Sequence, residues 1–398
     1  MTHNQPQIKQ LARLFLKLGI VGFGGPAAHI AMMDEEVVER RRWLTRSHFL
    51  DLLGATNLIP GPNSTEMAIH VGYSYAGVPG LIVAGVCFIF PAVLITAVFA
   101  WIYVRFGTLP TVTPLLYGIK PAVLVIILGA LWRLGKKAIK SRQLFAISLG
   151  VVPLLLLGVN EVLSLLLGGI AGAIWLRVAA DRKAPPDGTV EMVVAGLNLS
   201  ALWETSAVVA AQNGTKVTPS LWQLGLFFLK IGSVLFGSGY VLIAFLQGEV
   251  VEKYGWMTQQ ELLDAIAIGQ FTPGPVLSTS TFIGYIIAGV PGAIVATLAI
   301  FFPSFLFVAA LNPLIPKLRQ WKWASAFLDA INVSAVALMA VVALQLARGT
   351  LLQPLQPVAW GIAIFAAIAL FFFNLNPPWI VLGGAILGGL ASVVFKLY

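Results

Sequence analysis

The chain has 398 residues, of which 58% are hydrophobic and only 10% are charged. Soluble domains carry roughly 25% charged residues, so the composition excludes an ordinary soluble domain and indicates that most of the chain lies in a lipid bilayer. The net charge of +9 comes from basic residues scattered between apolar segments, which favours cytoplasmic loops over a nucleic-acid-binding face. The single cysteine, Cys87, excludes an internal disulfide and a multi-cysteine metal site.

Apolar segments follow one another along the chain, six on each side of a polar stretch. They are predicted at 11–32, 52–75, 79–104, 113–131, 144–159, 161–178, 221–246, 265–287, 290–311, 327–346, 358–374 and 377–396. The polar linker, 180–219, is rich in turn-forming residues and divides the chain into an N-terminal repeat, 1–179, and a C-terminal repeat, 220–398. The polar start does not read as a cleavable signal peptide, so we expect a multi-pass protein of the inner (plasma) membrane.

The two halves repeat one sequence pattern. Residues 16–25 reappear as 229–238, a shift of 213 residues that also takes Pro60-Gly61-Pro62 to Pro273-Gly274-Pro275. Further along, a shift of 212 takes Gly77-Val78-Pro79-Gly80 to Gly289-Val290-Pro291-Gly292. A duplication of this length in so apolar a chain indicates a membrane transporter built from two pseudo-symmetric halves.

Charge in the matched loops predicts that the halves are inserted upside down relative to each other. Loop 34–48 carries four arginines, whereas its counterpart 247–261 carries one lysine against three glutamates. Loop 132–142 carries five basic residues, and its counterpart 347–357 carries Arg348 alone. Because basic loops face the cytoplasm, the basic member of each pair is predicted to be cytoplasmic, which gives an inverted topology.

Parity then constrains the number of crossings. Three apolar segments separate the two basic loops of the first half, yet both loops can be cytoplasmic only if an even number of crossings lies between them. Segment 52–75 is the best candidate to enter and leave on one side, because Pro60 and Pro62 interrupt its helix. The predicted fold is therefore an all-α polytopic membrane protein with two homologous halves in inverted topology, about ten crossings and two broken or re-entrant segments.

The helix breaks mark the predicted substrate pathway. Broken helices are tolerated in a bilayer only where the freed backbone groups face protein or a water-filled cavity, and helices that start after a break offer N–H groups to an anion. The candidate substrate-binding residues at these breaks and at the glycine-rich turns are Pro60, Gly61, Pro62, Pro273, Gly274, Pro275, Gly24, Gly25, Gly237 and Ser238. The alternative is that these residues only kink helices or allow close helix packing.

Three lysines lie inside apolar segments. Lys17 and Lys230 are matched by the repeat, and Lys120 has Asn332 as its counterpart. A charge at the bilayer centre costs about 2.5–3.5 kcal/mol on insertion scales, so each lysine is expected to have a compensating partner, and an anionic substrate is one candidate. The alternative for the matched pair is that the side chains extend to the membrane surface.

Glu66 and His70 are predicted to share one face of a helix, because they are spaced four residues apart just after Pro62. They are candidates for proton coupling, with a structural pair at a helix end as the alternative. The sequence has no metal-ligand pattern and no nucleotide-binding loop. We therefore expect no cofactor, no direct ATP coupling and no enzyme activity.

Read together, the repeated motifs resemble the chromate ion transporter family in its two-domain, long-chain form. The first copy has Phe23-Gly24-Gly25-Pro26, Glu36-Val37-Val38-Glu39 with Trp43, and Leu58-Ile59-Pro60-Gly61-Pro62; the second has Phe236-Gly237, Glu249-Val250-Val251 with Trp256, and Phe271-Thr272-Pro273-Gly274-Pro275. The resemblance implies secondary export of chromate, a divalent oxyanion, driven by the proton motive force.

Other interpretations stay open at this point. Sulfate or another oxyanion could be the substrate, and Gly-rich broken helices also line anion channels. The second copy has Ser238-Gly239 where the first has Gly25-Pro26, which puts equal substrate binding by both halves in doubt. The expected partners are a small oxyanion and the lipid bilayer, not nucleic acid; a homodimer is one expectation for the oligomeric state.

Overall fold

The computed structural model describes residues 5–23, 25–181, 219–312, 322–351 and 357–395. Every regular element in these ranges is helical, with 14 α-helices, so the all-α prediction is confirmed. Among the described residues, six helices are long and apolar enough to cross a membrane. Most of the predicted linker and the candidate residue Gly24 lie outside the described residues.

The first half contains seven helices. They are α1 Gln5–Val21, α2 Gly25–Asp34 with the π-helical turn Glu35–Arg40, α3 Arg46–Thr56, α4 Asn63–Phe106, α5 Thr113–Ala138, α6 Arg142–Leu156 and α7 Glu161–Asp181. Side-chain caps fix two of the starts: Thr45 accepts a hydrogen bond from the His48 N–H, and Ser141 accepts one from the Leu144 N–H. Pro60, Gly61 and Pro62 fall in the non-helical stretch between α3 and α4, as predicted.

The second half follows the same order. Its helices are α8 Leu221–Val234, the 3₁₀ turn Gly239–Val241 continuing into α9 Leu242–Phe245 and the π-helical segment Leu246–Lys253, α10 Gln259–Phe271, α11 Thr279–Leu311, α12 Lys322–Leu351, α13 Pro357–Phe371 and α14 Pro377–Phe395. Capping boxes, in which the cap and third helical residue bond each other's backbone, start α8 at Ser220 and α10 at Thr258.

Helices α4 and α11 are hairpins rather than straight rods. Gly77 has φ +63° and Gly289 has φ +62°, a left-handed conformation that glycine adopts without steric cost. The arms lie against each other, since a Cβ placed on Gly72 would overlap the Gly80 carbonyl. In the second half, the Thr281 and Thr297 hydroxyls are 2.7 Å apart. The Gly-Val-Pro-Gly motif is therefore the turn of each hairpin.

Helix α3 and the first arm of α4 form a second antiparallel pair with Pro60-Gly61-Pro62 at its tip. Near the open end, His48 Nε2 lies 3.4 Å from Ser74 Oγ, and the Trp43 and Tyr75 rings stack with centroids 4.1 Å apart. The chain thus runs towards the tip through α3 and returns through residues 63–75. This geometry is what a re-entrant segment requires.

The halves interlock by exchanging helices. Helix α5 packs on α13 and α14 of the second half, and its counterpart α12 packs on α6 and α7 of the first. Helices α4 and α11 contact each other through both arms of α4. His70, in the first arm, lies 3.1 Å from Asn312 at the end of α11, and Gly85, in the long arm, lies against the Phe305 ring in the long arm of α11. Most core side chains of the second half and of α5 form one continuous cluster as a result.

A reciprocal pair of backbone hydrogen bonds joins the helix breaks. The Gly61 N–H donates to the Leu235 carbonyl at 2.7 Å, and the Gly274 N–H donates to the Gly22 carbonyl at 2.8 Å. The repeat shift of 213 takes Gly61 to Gly274 and Gly22 to Leu235. When residue i contacts j′ and residue i′ contacts j, the two copies have the contact pattern of a two-fold axis.

Candidate functional site

Two adjoining hollows lie between the halves, with volumes of about 650 Å³ and 290 Å³. Both are lined by Asn57, Asn63, Lys137 and Gly237, so we treat them as one space and call it the basic cavity. Its larger part reaches the glycine-rich turns of both halves. The repeat shifts relate many of its lining residues to one another, as with Asn57 and Gln270, so this part of the cavity lies near the pseudo-two-fold axis.

Cations line the part of the cavity next to the end of α5. Arg133 and Lys137 come from the last turns of α5, and Lys140 follows directly. Lys140 forms an ion pair of 3.4 Å with Asp329. The larger hollow therefore carries two basic side chains and no acidic one among its described lining residues, which favours an anionic ligand.

The glycine turns supply the inner wall. Gly25, Gly237, Ser238 and Gly274, all candidates from the sequence, line the larger hollow. Gly25 has φ +77° and Gly237 has φ +94°, so glycine suits both positions, and Gly25 has open space where a side chain would stand. Gly25 also begins α2, which directs the positive end of a ten-residue helix at the cavity. Gly24 lies outside the described residues.

The Pro-Gly-Pro tips hold the halves together. The Gly61 and Gly274 N–H groups are already donated across the interface, and prolines have no N–H. These two N–H groups are therefore not free to bind an anion in this structure, and the prediction that the helices after the breaks offer N–H groups to the substrate stays a prediction. Of the four flanking prolines, Pro60, Pro62, Pro273 and Pro275, none belongs to the described lining of the cavity.

Lys17 and Lys230 each have a protein partner. Lys17 Nζ lies 2.8 Å from Glu36 Oε1, and Lys230 Nζ lies 2.5 Å from Glu249 Oε1. The hydrogen bond from Lys17, with a further contribution from Arg41, lowers the pKa of Glu36 in loop 34–48. Neither lysine is among the described residues that line the cavity. Each lysine thus has a matched glutamate as a compensating partner, and its contact with a substrate stays a prediction.

Lys120 lies on the α5 face that packs against α10, where it interacts electrostatically with Asp264. Asp264 also accepts a hydrogen bond of 2.8 Å from the Tyr103 hydroxyl. Lys120 is outside the described lining of the cavity, whereas its counterpart Asn332 lines the smaller hollow. The predicted asymmetry between these positions is therefore present, but the lysine faces a carboxylate.

Glu66 and His70 share α4 without a hydrogen bond between them in the described structure. His70 Nδ1 lies 3.1 Å from the Asn312 amide. Glu66 is fully buried, and neither carboxyl oxygen has a hydrogen-bond partner among the described residues. Its carboxyl group occupies the space beside Gly61 that a side chain there would need, with Ser304 Oγ close by.

Several cavity residues were missed at the level of sequence. Asn57 and Asn63 flank the first Pro-Gly-Pro motif and bond each other at 2.9 Å, and both line the cavity. Arg133 and Lys137 were assigned only to a cytoplasmic loop. Their four-residue spacing on one helix face was the available signal. This spacing identifies the two residues as cavity-lining only when α5 is known to pack against α13 and α14.

A helical membrane chain with broken helices around a polar cavity belongs structurally with membrane transporters. The profile of the family described as chromate transporter matches residues 9–173 and 222–389. The chain therefore belongs to the chromate transporter family. No solved structure matches it at a significant level.

Curated relatives agree with this assignment. A chromate transport protein of Cupriavidus metallidurans is 33% identical over 96% of this chain and 92% of its own length. A probable chromate transport protein of Synechococcus elongatus is 34% identical over 88% of this chain and 87% of its length. An uncharacterized transporter of Bacillus subtilis, YwrA, is 35% identical over 32% of this chain and 71% of its length.

Proposed function

We propose that this protein is a secondary transporter that exports chromate from the cytoplasm through the basic cavity. The observation that carries the proposal is the meeting of Arg133, Lys137 and the N-terminus of α2 in one cavity of a chromate transporter family member. Chromate is a compact dianion, and paired cations with backbone and amide donors suit such a ligand. Sulfate has the same charge and shape, so it is the natural competitor.

We further propose the inverted topology, with about ten crossings and two re-entrant segments. Its support is geometric: the reciprocal Gly61–Leu235 and Gly274–Gly22 hydrogen bonds have the pattern of a pseudo-two-fold axis, and halves in inverted topology are related by such an axis lying in the membrane plane. We also propose that each half, 1–179 and 220–398, is a structural unit and that 180–219 is the linker between them. A relative that matches only about one third of this chain supports this division. A reporter fused after residue 142 should be cytoplasmic and one at residue 255 external; the reverse would overturn the topology.

Direction follows from the charge of the substrate. Moving one charge through 100 mV is worth about 2.3 kcal/mol, so a dianion gains roughly 4.6 kcal/mol on leaving an inside-negative cell. At 1.36 kcal/mol per decade this supports an outward gradient on the order of a thousandfold. Export is therefore favoured by the membrane potential alone, and proton coupling adds to it.

For the coupling group we propose Glu66, with His70 in a secondary role. A buried carboxylate without a donor is costly in a dry interior, which favours a protonated Glu66 in this state. Ionisation would require water or a donor such as Ser304 and hence movement of the adjacent Pro60-Gly61-Pro62 tip. Glu66→Gln should leave potential-driven chromate transport in place and abolish its response to an imposed pH gradient. An unchanged pH response would remove Glu66 from the coupling path.

The transport proposal is tested with everted membrane vesicles and labelled chromate. We expect saturable uptake that sulfate or molybdate reduces in proportion to its affinity, and that an uncoupler suppresses. Uptake no greater than in vesicles that lack the protein would refute it. The alternative of an anion channel predicts unitary currents in planar bilayers. Among the described residues, the lining of the basic cavity shares no residue with that of a separate hollow between α7 and α12, so no continuous pore is present, which favours a transporter.

A further inference from the structure

The two halves hold one matched segment differently. In the first half, residues 25–34 are mostly half-buried, only His29 and Met33 being buried, and four of the others, Gly25, Pro26, Ala27 and Ile30, line the basic cavity. In the second half, the corresponding residues 238–247 are all buried. The same stretch of the repeat is thus packed more loosely in the first half; in the second half it is buried throughout and reaches the basic cavity only at residues 238–240.

The entrance of the basic cavity also has a counterpart. We take as its entrance the part lined by the end of α5 and by residues 374–378 at the turn joining α13 to α14; the repeat relates these elements to α12 and the turn joining α6 to α7. The turns correspond residue by residue, with positive φ at Gly158 and Asn374 followed two residues later by Asn160 and Asn376. A third hollow, of about 380 Å³, lies at the corresponding place beside α12. We call it the acidic hollow, because Glu161 and Glu252 line it.

The acidic hollow is separated from the glycine turns by the segment Leu246–Lys253. Gly248 in this segment lies directly against Glu161: a Cβ built there would overlap the carboxylate and lie 3.6 Å from the Glu161 Cγ. Within the described chain, the lining of this hollow includes Gly248 and Glu252 but no residue of the glycine turns. The basic cavity, in contrast, reaches the turns of both halves.

We propose that the acidic hollow is the outer mouth of the transport path and that Leu246–Lys253 closes it in this structure. If the halves exchange conformations, residues 33–40, the counterpart of Leu246–Lys253, close against α14, and Leu246–Lys253 moves away from α7. The acidic hollow then joins the glycine turns, while the basic cavity is sealed. This inference rests on the proposed function, since it requires transport through the basic cavity between inverted halves.

The chemistry of this mouth suits release of a dianion. The two cations of the inner entrance have uncharged counterparts, Gln345 and Gly349, and Glu161 and Glu252 face the acidic hollow beside Lys253. One unit charge about 6 Å from a dianion in water changes the local dianion concentration on the order of tenfold. The inner entrance thus concentrates the substrate and the outer mouth disfavours its return.

Two matched cysteine pairs, made in a Cys87→Ser background, test the exchange. Glu161→Cys with Gly248→Cys is expected to form a disulfide in the present state, because the positions are in contact and the shortened side chain removes the overlap. Its counterpart is Glu35→Cys with Pro377→Cys, which should form a disulfide only when the first-half segment closes. The readout is the fraction of each pair cross-linked by an oxidant, measured with and without saturating chromate and in a sulfate control.

We expect the Glu161/Gly248 disulfide to reduce chromate transport by at least tenfold, with recovery on reduction, while chromate still binds from the cytoplasmic side. Recovery on reduction shows that the variant is folded. Transport that persists with this pair fully cross-linked, or a Glu35/Pro377 pair that never cross-links in a transporting protein, would overturn the outer mouth. Failure of the proposed function is distinguishable: the cross-links would still form and exchange, but vesicles would show no chromate uptake.

Discussion

Replacing Gly61 with alanine is expected to destabilise the protein because the side chain has no room and the backbone has an unsuitable conformation. Gly61 has φ +141°, which L-residues rarely adopt, and a Cβ there would overlap Glu66 Oε1 and lie 2.7 Å from Ser304 Oγ. Backbone strain of this kind costs about 1–3 kcal/mol, and overpacking costs about 1–3 kcal/mol more. The combined loss in unfolding free energy is therefore about 2–6 kcal/mol.

The assay is the thermal midpoint of the purified protein in detergent, together with chromate uptake by everted vesicles. At roughly 2 °C per kcal/mol for a large domain, Gly61→Ala should lower Tm by about 4–12 °C. Gly54→Ala is the matched control, because Gly54 lies in α3 with open space around it. It should leave Tm unchanged or slightly raised.

A double variant separates the two causes. Adding Glu66→Ala to Gly61→Ala removes the carboxyl group that the new methyl group overlaps, so part of the loss should be recovered as a coupling energy. The backbone strain should remain. If Gly61→Ala melts like the unmodified protein, the tip does not have the conformation on which the coupling proposal for Glu66 depends.

Two further predictions concern the matched features of the halves. Lys230→Ala should destabilise the protein by about 3–5 kcal/mol, since it leaves the buried Glu249 carboxylate without its cation. Lys17→Ala should destabilise it far less, because Arg41 still pairs with Glu36, the partner of Lys17. Equal Tm losses for the two lysine variants would contradict this reasoning. Gly72→Ala should open the α4 hairpin, because its Cβ would overlap the opposite arm, and should increase proteolysis near residue 77. An unchanged digestion pattern would argue against the hairpin.

Local features of this fold were accessible from the sequence. Proline and glycine act on the backbone of their own and adjacent residues, so the breaks at Pro60-Gly61-Pro62 and at Gly77 could be predicted without knowledge of the tertiary structure. The repeat was equally informative. Once Lys17 and Lys230 were known to correspond, one solution for their charge had to serve both halves, and the structure provides it.

The site was less predictable because it depends on contacts between distant segments. Lys137 lines a cavity only because α5 packs against helices of the second half. The Gly61 N–H is donated to Leu235, which is far away in the sequence and could not be identified as its partner from the local motif. Local patterns identify residues that need a partner, whereas choosing among a substrate, a glutamate and a carbonyl requires the packed structure.

The most direct test of the account measures chromate uptake by everted vesicles as a function of chromate concentration in charge-neutralised variants. Arg133→Gln with Lys137→Gln removes the cations of the basic cavity, and Lys136→Gln is the control, because its ammonium lies over the Trp132 ring, 4.9 Å from the centroid, and outside the described cavity lining. We predict that the double variant raises KM for chromate by about tenfold or more while Lys136→Gln leaves it unchanged. Equal KM values for the two variants would contradict the claim that chromate leaves the cytoplasm through this cavity.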